Sequence, residues 1–480
     1  MQAVIDFLQV VVDTVNTYLS NYILIFLLVG IGLFYTIRTK FVQVRCFGEG
    51  MKKVFGNISL RGGKNKGGLS SFQALATAIA AQVGTGNIVG ACGAILVGGP
   101  GAIFWMWIIA FFGMATIYAE ATLAQETRVV DDDGHVLGGP VYYIRRAFKG
   151  KFGKFLAGFF AVALILALGC MGAMVQSNAI ASSISTATSG FVPTWAIGLV
   201  LAVICAVIFV GGVQRIASVA EKIVPIMALV YIVVCVTILG INITKIPETF
   251  GMIFKYAFNP DAIIGGGLGA IIVAVSQGAK RGLFSNEAGM GSTPHAHAQA
   301  NVKTPHEQGV VAMIGVFIDT FVVLTLTALV VISTMYASGG PLAALGIVTD
   351  KTAGLIGVSG DNLMQVAVGN AFGSGLAGNI IVAICLTFFA FTTIIGWNFF
   401  GRQNVQYLFG KKAIVIYSII AIGFIFLGSL FPNALVWALS DMFNNLMVIP
   451  NVMALAVLSP IVVDALSKRE KKVKKEKIEK

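Results

Sequence analysis

Charged residues are scarce in this chain. Asp, Glu, Lys and Arg make up 11% of its 480 residues, whereas hydrophobic residues reach 57%, and that balance excludes a water-soluble fold. Histidine is scarce as well, with four residues, all outside the long apolar runs. Neither HExxH nor GxSxG occurs, so an intramembrane hydrolase would lack a nucleophile and base at workable spacing. The six cysteines (Cys46, Cys92, Cys170, Cys205, Cys235 and Cys385) stand singly, five of them inside apolar runs, with no CxxC pair and no Cys/His metal spacing. They read as small buried hydrophobes. No cleavable leader is evident, because the first residues mix polar and apolar types without a basic stretch ahead of a short apolar core.

What the chain has instead is long apolar runs. Eleven are long enough to cross a hydrocarbon core of ~30 Å: about 22–37, 72–96, 102–125, 155–183, 195–210, 219–241, 262–277 with a continuation, 310–335, 380–400, 413–431 and 434–463. Basic residues crowd alternate gaps, from Arg38 to Lys66, at Arg128 and Arg145 to Lys154, at Arg215 and Lys222, at Lys303, at Arg402, Lys411 and Lys412, and in the tail from Lys468. The opposite gaps hold only Lys245, Lys255 and Lys351. This bias places the N-terminus outside and the C-terminus in the cytoplasm. The net charge of +12 therefore reads as an orientation signal facing anionic membrane lipid, with no nucleic-acid partner. Residues 41–54 read as an interfacial amphipathic helix. Residues 61–68 lack the GxxxxGK[ST] phosphate-loop spacing and read as a linker. Residues 341–372 suit short external helices over a vestibule, and the tail from Ser467 is a solvated charge run.

Two apolar runs are interrupted. In Ala76 to Gly93, the residues Gln82, Gly84, Thr85, Gly86 and Asn87 sit together at the middle, where each glycine costs a helix ~1 kcal/mol relative to alanine. This reads as a broken transmembrane helix, which survives at membrane depth only where protein or a watery cavity satisfies its polar groups. In secondary transporters such breaks hold the substrate. In Ala274 to Ser292, Gln277-Gly278 followed by Gly282 echoes Gln82, Gly84 and Gly86, placing a second break there. Five spans follow from each break, and five is odd, so the second set enters the membrane from the opposite side. The expected fold is an all-α polytopic membrane protein of 11 transmembrane helices, one extra N-terminal helix plus a 5+5 inverted repeat with two discontinuous helices. Its expected divisions are 1–67 for the extra helix and interfacial segment, 68–243 and 244–466 for the repeats, and 467–480 for the basic tail. A channel has no need of paired discontinuous helices, so the matched breaks argue against one.

Gly84-Thr-Gly-Asn-Ile, Gly98-Gly-Pro-Gly-Ala-Ile-Phe-Trp-Met-Trp, Tyr118-Ala-Glu, Gly138-Gly-Pro-Val-Tyr-Tyr and Ser285-Asn-Glu-Ala-Gly-Met-Gly-Ser resemble the alanine or glycine:cation symporter family, the sodium:alanine symporters, in order and at natural spacing between about residues 72 and 397. The resemblance implies a leucine-transporter-like fold and uptake of small neutral amino acids, chiefly alanine and glycine, by alternating access. It implies sodium as the co-transported ion, no organic cofactor and a monomer sufficient for transport. A proton-coupled or glutamine-selective member of the same family is the alternative.

A zwitterionic amino acid then assigns roles. Its carboxylate would face the amides of the half-helix after the first break, where Gly84 and Gly86 allow close backbone approach beside Thr85 and Asn87. Its ammonium would face carbonyls freed at the second break near Ser276, Gln277 and Gly278, helped by Gln82. Asn178, with Gln176 nearby, could add an amide, although interhelical hydrogen bonding worth ~0.6 kcal/mol is the plainer use of such residues. The resemblance implies a sodium between backbone carbonyls near Val83 and Gly86 and the hydroxyls of Thr392 and Thr393, residues that otherwise bond their own helix. Charge inside a span is costly and points to function, which singles out Glu120, Lys280, Arg281, Glu287 and Asp319. Lys280 and Arg281 are expected to pair with Glu287 or Glu120 as a cytoplasmic gate, or as a fixed ion pair setting helix register, with Trp397 closing the inner pathway. His295 and His297 lack a third ligand for zinc.

Overall fold

In lipid every backbone N–H and C=O must be paired within its own segment, and the apolar runs accordingly fold as helices. A computed structural model of the chain describes residues 2–56, 69–131, 134, 136–258, 268–343, 354 and 357–478. The linker at 61–68, Asp350 and the start of the run at 262–277 lie outside the described residues.

Helices α1 (Gln2–Tyr18) and α2 (Ile25–Arg38) are joined by π-helical turns, so the first helix begins twenty residues before the apolar run that announces it. Two short helices, α3 (Val42–Arg45) and α4 (Phe47–Phe55), form the amphipathic segment, burying Val42, Cys46, Gly50 and Val54 at four-residue intervals. The first broken helix is α5 (Ser71–Gln82) and α6 (Gly86–Gly98), bent by 47°. A capping box between Ser70 and Gln73 starts α5. Then follow α7 (Ala102–Thr127), a hairpin of β1 (Val129–Val130) and β2 (Val136–Leu137), and α8 (Pro140–Ala147). Next come α9 (Gly150–Ala187), α10 (Thr194–Val210), α11 (Gly212–Ile241) and α12 (Ile246–Phe258). The remainder is α13 (Leu268–Asn286), α14 (Pro294–Ala298), α15 (Pro305–Tyr336), α16 (Leu363–Phe372), α17 (Gly375–Phe409), α18 (Ala413–Gly428), α19 (Asn433–Val457) and α20 (Ser459–Ile478).

Among the described residues five helices (α7, α9, α11, α15 and α17) are long and apolar enough to cross a membrane, or up to seven elements if each of the bent pairs α5–α6 and α19–α20 is one span. Helices α2, α10 and α18 are apolar but shorter. The last run does not continue to residue 463. Instead α19 ends at Val457, the chain bends by 56°, and the basic tail is the helical continuation α20.

The second break is also displaced. Helix α13 is continuous through Ser276, Gln277 and Gly278 and ends at Asn286, and the interruption occupies 287–293. A lone glycine does not stop a helix, and Gly278 serves packing instead: a Cβ there would lie 2.6 Å from the Trp105 Cβ and 2.8 Å from the Ala102 carbonyl of α7. The true interruption is made by left-handed backbone at Glu287, Gly289 and Gly291, with φ of 58°, 89° and 80°. It lies inside the Ser-Asn-Glu-Ala-Gly-Met-Gly-Ser stretch.

Candidate substrate and cation site

The first break places Val83, Gly84 and Thr85 between two half-helices, where helix ends leave amides and carbonyls without in-helix partners. The Asn87 side chain folds back to accept the Gly84 amide at 2.9 Å. Gln176 of α9 accepts the Thr85 amide through Oε1 at 3.2 Å. From α17, the Thr393 hydroxyl lies 3.0 Å from the Ala80 carbonyl, 3.4 Å from that of Val83 and 3.0 Å from that of Phe389 in its own helix. Four oxygens thus converge on the end of α5, a hard-donor set that suits sodium. Gly84 makes that approach possible, because a Cβ there would sit 2.4 Å from the Thr393 hydroxyl.

The two breaks touch. Gln82 at the end of α5 donates to the carbonyl of Asn286 at the end of α13 at 2.7 Å. A Cβ on Gly86 would lie 3.0 Å from the Ser285 Cα and 3.1 Å from the Phe284 ring. Asp319, on a π-helical turn of α15, accepts from Asn87 at 2.6 Å and from the Ser285 hydroxyl at 2.9 Å, so one buried carboxylate ties both broken helices. Among the described residues Gln82 Oε1, the Thr85 hydroxyl and Gln176 Nε2 at this break are buried with no hydrogen-bond partner, as are both amide atoms of Asn398 on α17. Native interiors pair nearly all such groups, so this cluster is suited to a polar ligand.

Several expected roles are reassigned. Ser276, Gln277 and Gly278 lie inside unbroken α13, so their carbonyls are not freed by a helix end. Asn178 donates to the carbonyls of Gly428 and Phe431 at 2.8 and 2.9 Å, fastening α9 to the end of α18. It stands two residues from Gln176, and residues two apart on a helix face nearly opposite ways, so only Gln176 reaches the break. The Thr392 hydroxyl turns to the Phe388 and Phe389 carbonyls and the Met227 sulfur, away from the oxygen cluster. The carbonyl of Gly86 accepts the Ala91 amide, and it is the Ala80 carbonyl that lies beside the Thr393 hydroxyl.

The charged residues pair differently from the expectation. Lys280 and Arg281 meet Asp441 of α19 at 3.6 and 3.2 Å, and Arg281 lies 4.3 Å over the Trp437 ring. Glu120 accepts the amides of Gly289 and Gly291 at 3.0 and 2.9 Å and that of the Asn451 side chain at 2.6 Å, holding the second break. Glu287 accepts from Ser292 and, at 2.5 Å, from the Trp397 indole. His295 and His297 bond separately, to Ser292 and Asn404 and to Gln308. Sequence reasoning missed Asp441 although it stands within the last apolar run, where its charge is the available signal, and it named Asp319 without placing it.

The chain matches the family described as the sodium:alanine symporter family over residues 5–480. It is 41% identical over 461 residues to the sodium/alanine symporter AgcS of Methanococcus maripaludis, covering 95% of this chain and 96% of that one. The chain belongs to the sodium:alanine symporter family. A probable sodium/glutamine symporter, GlnT of Bacillus subtilis, is 39% identical over 475 residues, 98% of this chain and 93% of that one. Among solved structures, MhsT in complex with L-phenylalanine has a TM-score of 0.57 at 13% identity, covering 84% of this chain and 99% of that one. That likeness establishes a leucine-transporter-like fold, and family membership makes the chain a transporter rather than an enzyme.

In this sodium:alanine symporter-family chain the breaks lie between a cavity and a packed backbone pairing. On one side a cavity of ≈ 530 Å³ is lined in part by Asp13, Gly90, Lys280, Arg281, Trp437 and Asp441. On the other, Leu69 pairs with the chain after α14, donating to Gln299 at 3.0 Å and accepting from Asn301 at 2.9 Å. Ser71 bonds Gln308 at 3.0 Å and Gln73 bonds Glu221 at 3.0 Å beside it. Gln125 and Arg128 donate to carbonyls of the same 297–300 segment.

Proposed function

We propose that the chain imports small neutral amino acids, alanine foremost, coupled to sodium by alternating access, with the substrate seated at the two breaks. The carrying observation is the cluster of partnerless buried polar atoms on Gln82, Thr85 and Gln176 beside helix ends whose amides and carbonyls suit a carboxylate and an ammonium. Sodium takes the oxygens of Thr393, Ala80, Val83 and Phe389. Asp319 is a buried carboxylate whose described partners are neutral donors, and it favours a cation nearby while holding both broken helices in register. The substrate is small because Phe284 fills the space beside Gly86, its ring 4.6 Å from Trp437 and 5.7 Å from Trp397.

The basic-loop bias supports an external cavity and a cytoplasmic Leu69–Ala300 closure. On that reading Lys280, Arg281 and Asp441 form an external gate, and Glu287 with Trp397 braces the internal one. The repeats at 68–243 and 244–466 each open with a broken helix, and the 11-span inverted topology and monomeric operation belong to the same proposal.

Uptake of labelled alanine into proteoliposomes under an imposed sodium gradient tests this. Sodium-driven accumulation that persists when the proton gradient is collapsed is expected. Accumulation driven by a proton gradient alone in sodium-free buffer would reassign the ion, and preferential exchange of glutamine would reassign the substrate.

A further inference from the structure

Outside the two breaks, on the side of the Leu69–Ala300 closure, Cys46, Glu49 and His306 each offer one ligand atom, all within 4.8 Å of one another. Cys46 lies between α3 and α4, Glu49 in the first turn of α4 and His306 at the start of α15. Cys46 and His306 are 1% and 2% exposed. The His306 ring is already oriented: its Nδ1 pairs with the Tyr118 hydroxyl of α7 at 2.8 Å, which turns Nε2 toward Glu49 Oε1 at 3.3 Å. A second hydrogen bond fixing the far nitrogen is the usual support of a metal-binding imidazole. The other Glu49 oxygen accepts from Arg469 of α20 at 2.5 Å.

We propose that Cys46, Glu49 and His306 form a binding site for a divalent transition metal of the zinc class, through which the ion slows transport. One sulfur, one imidazole nitrogen and one carboxylate oxygen make a borderline-soft set that selects zinc over sodium, magnesium or calcium. Metal–ligand bonds of ~2.0–2.3 Å put tetrahedral ligands roughly 3.5 Å apart; the His306 and Glu49 atoms already stand 3.3 Å apart and the Cys46 sulfur lies within 4.8 Å of both, so a small side-chain shift completes the set. Cys46 binds as thiolate and releases its proton to solvent, water takes the fourth position, and the thiolate and carboxylate balance the two positive charges. Arg469 then has no charge to neutralise and is displaced.

The consequence for transport follows from what the three ligands join. His306 opens α15, the helix that carries Asp319, and its partner Tyr118 stands two residues from Glu120, which holds the second break, while Cys46 and Glu49 belong to the interfacial segment. An ion bridging them resists relative movement of the interfacial segment against α15.

The test uses the purified full-length protein and zinc chloride, with competition against a zinc-chelating dye and uptake in proteoliposomes. One zinc per chain is expected, weakened at least tenfold in Cys46→Ser and His306→Gln and strengthened in Arg469→Ala, which removes the competing cation. Zinc should inhibit wild-type uptake, while Cys46→Ser, with zinc-free uptake unchanged, escapes inhibition. Zinc affinity equal in the wild type and in a folded Cys46→Ser variant would overturn the assignment, as would the absence of stoichiometric binding.

Discussion

At the scale of the residue, the two threonines of α17 separate two roles that look identical in sequence. Thr393 faces the Ala80 and Val83 carbonyls, whereas Thr392 faces its own helix and Met227. Loss of one oxygen from a charged contact costs ~1.5–3 kcal/mol. Thr393→Ala is therefore expected to raise the sodium concentration for half-maximal uptake by about tenfold or more, and Thr392→Ala to leave it nearly unchanged. Equal effects of the two substitutions would remove Thr393 from the ion site. Gly84→Ala tests the same place from the other side, since its Cβ would sit 2.4 Å from the Thr393 hydroxyl and 3.1 Å from its Cβ. Uptake should be abolished in a protein that still elutes as a folded species, and normal sodium dependence in that variant would contradict the close approach.

At the scale of the element, the second broken helix depends on a neighbour for its shape. Its left-handed turn leaves the Gly289 and Gly291 amides pointing away from the helix, and Glu120 of α7 accepts both while Asn451 of α19 donates to the same carboxylate. Glu120→Gln replaces one acceptor oxygen by a donor that faces another donor, and an unmet buried group costs ~1–3 kcal/mol. Alanine affinity by titration calorimetry should fall by about tenfold or more, because the Ser285 and Asn286 end of α13 loosens. Unchanged affinity with unchanged thermal midpoint would show that the break holds its shape without the carboxylate.

At the scale of the whole molecule, alternating access requires that the Leu69–Ala300 pairing open in every cycle. Paired strands lie ~4.8 Å apart, within the Cα separation that a disulfide bridges, so Leu69→Cys with Ala300→Cys is expected to cross-link on oxidation. The oxidised protein should retain alanine binding and lose uptake, and reduction should restore it. Full uptake by demonstrably cross-linked protein would place the moving closure elsewhere.

Composition and periodicity pointed to a mostly helical membrane protein, because backbone in lipid is satisfied only in helices or a closed barrel, and apolar runs of about twenty residues suit helices. Two glycines with Thr85 between them and Asn87 directly after marked the first break for the same reason: several helix-weakening residues together leave few competing conformations. The family was legible in motifs that lie mostly on helix ends and turns, with Tyr118-Ala-Glu inside α7. The second break was misplaced at Gln277-Gly278 because a glycine that packs against Trp105 and one that breaks a helix are the same letter, and only the φ of Glu287, Gly289 and Gly291 tells them apart. Which amide reaches the site, Gln176 rather than Asn178, was decided by the rotation of α9. That Arg281 meets Asp441, and that Cys46 meets His306, was decided by contacts across 160 and 260 positions of chain. No local pattern encodes such pairings; they exist because helices remote in sequence pack side by side.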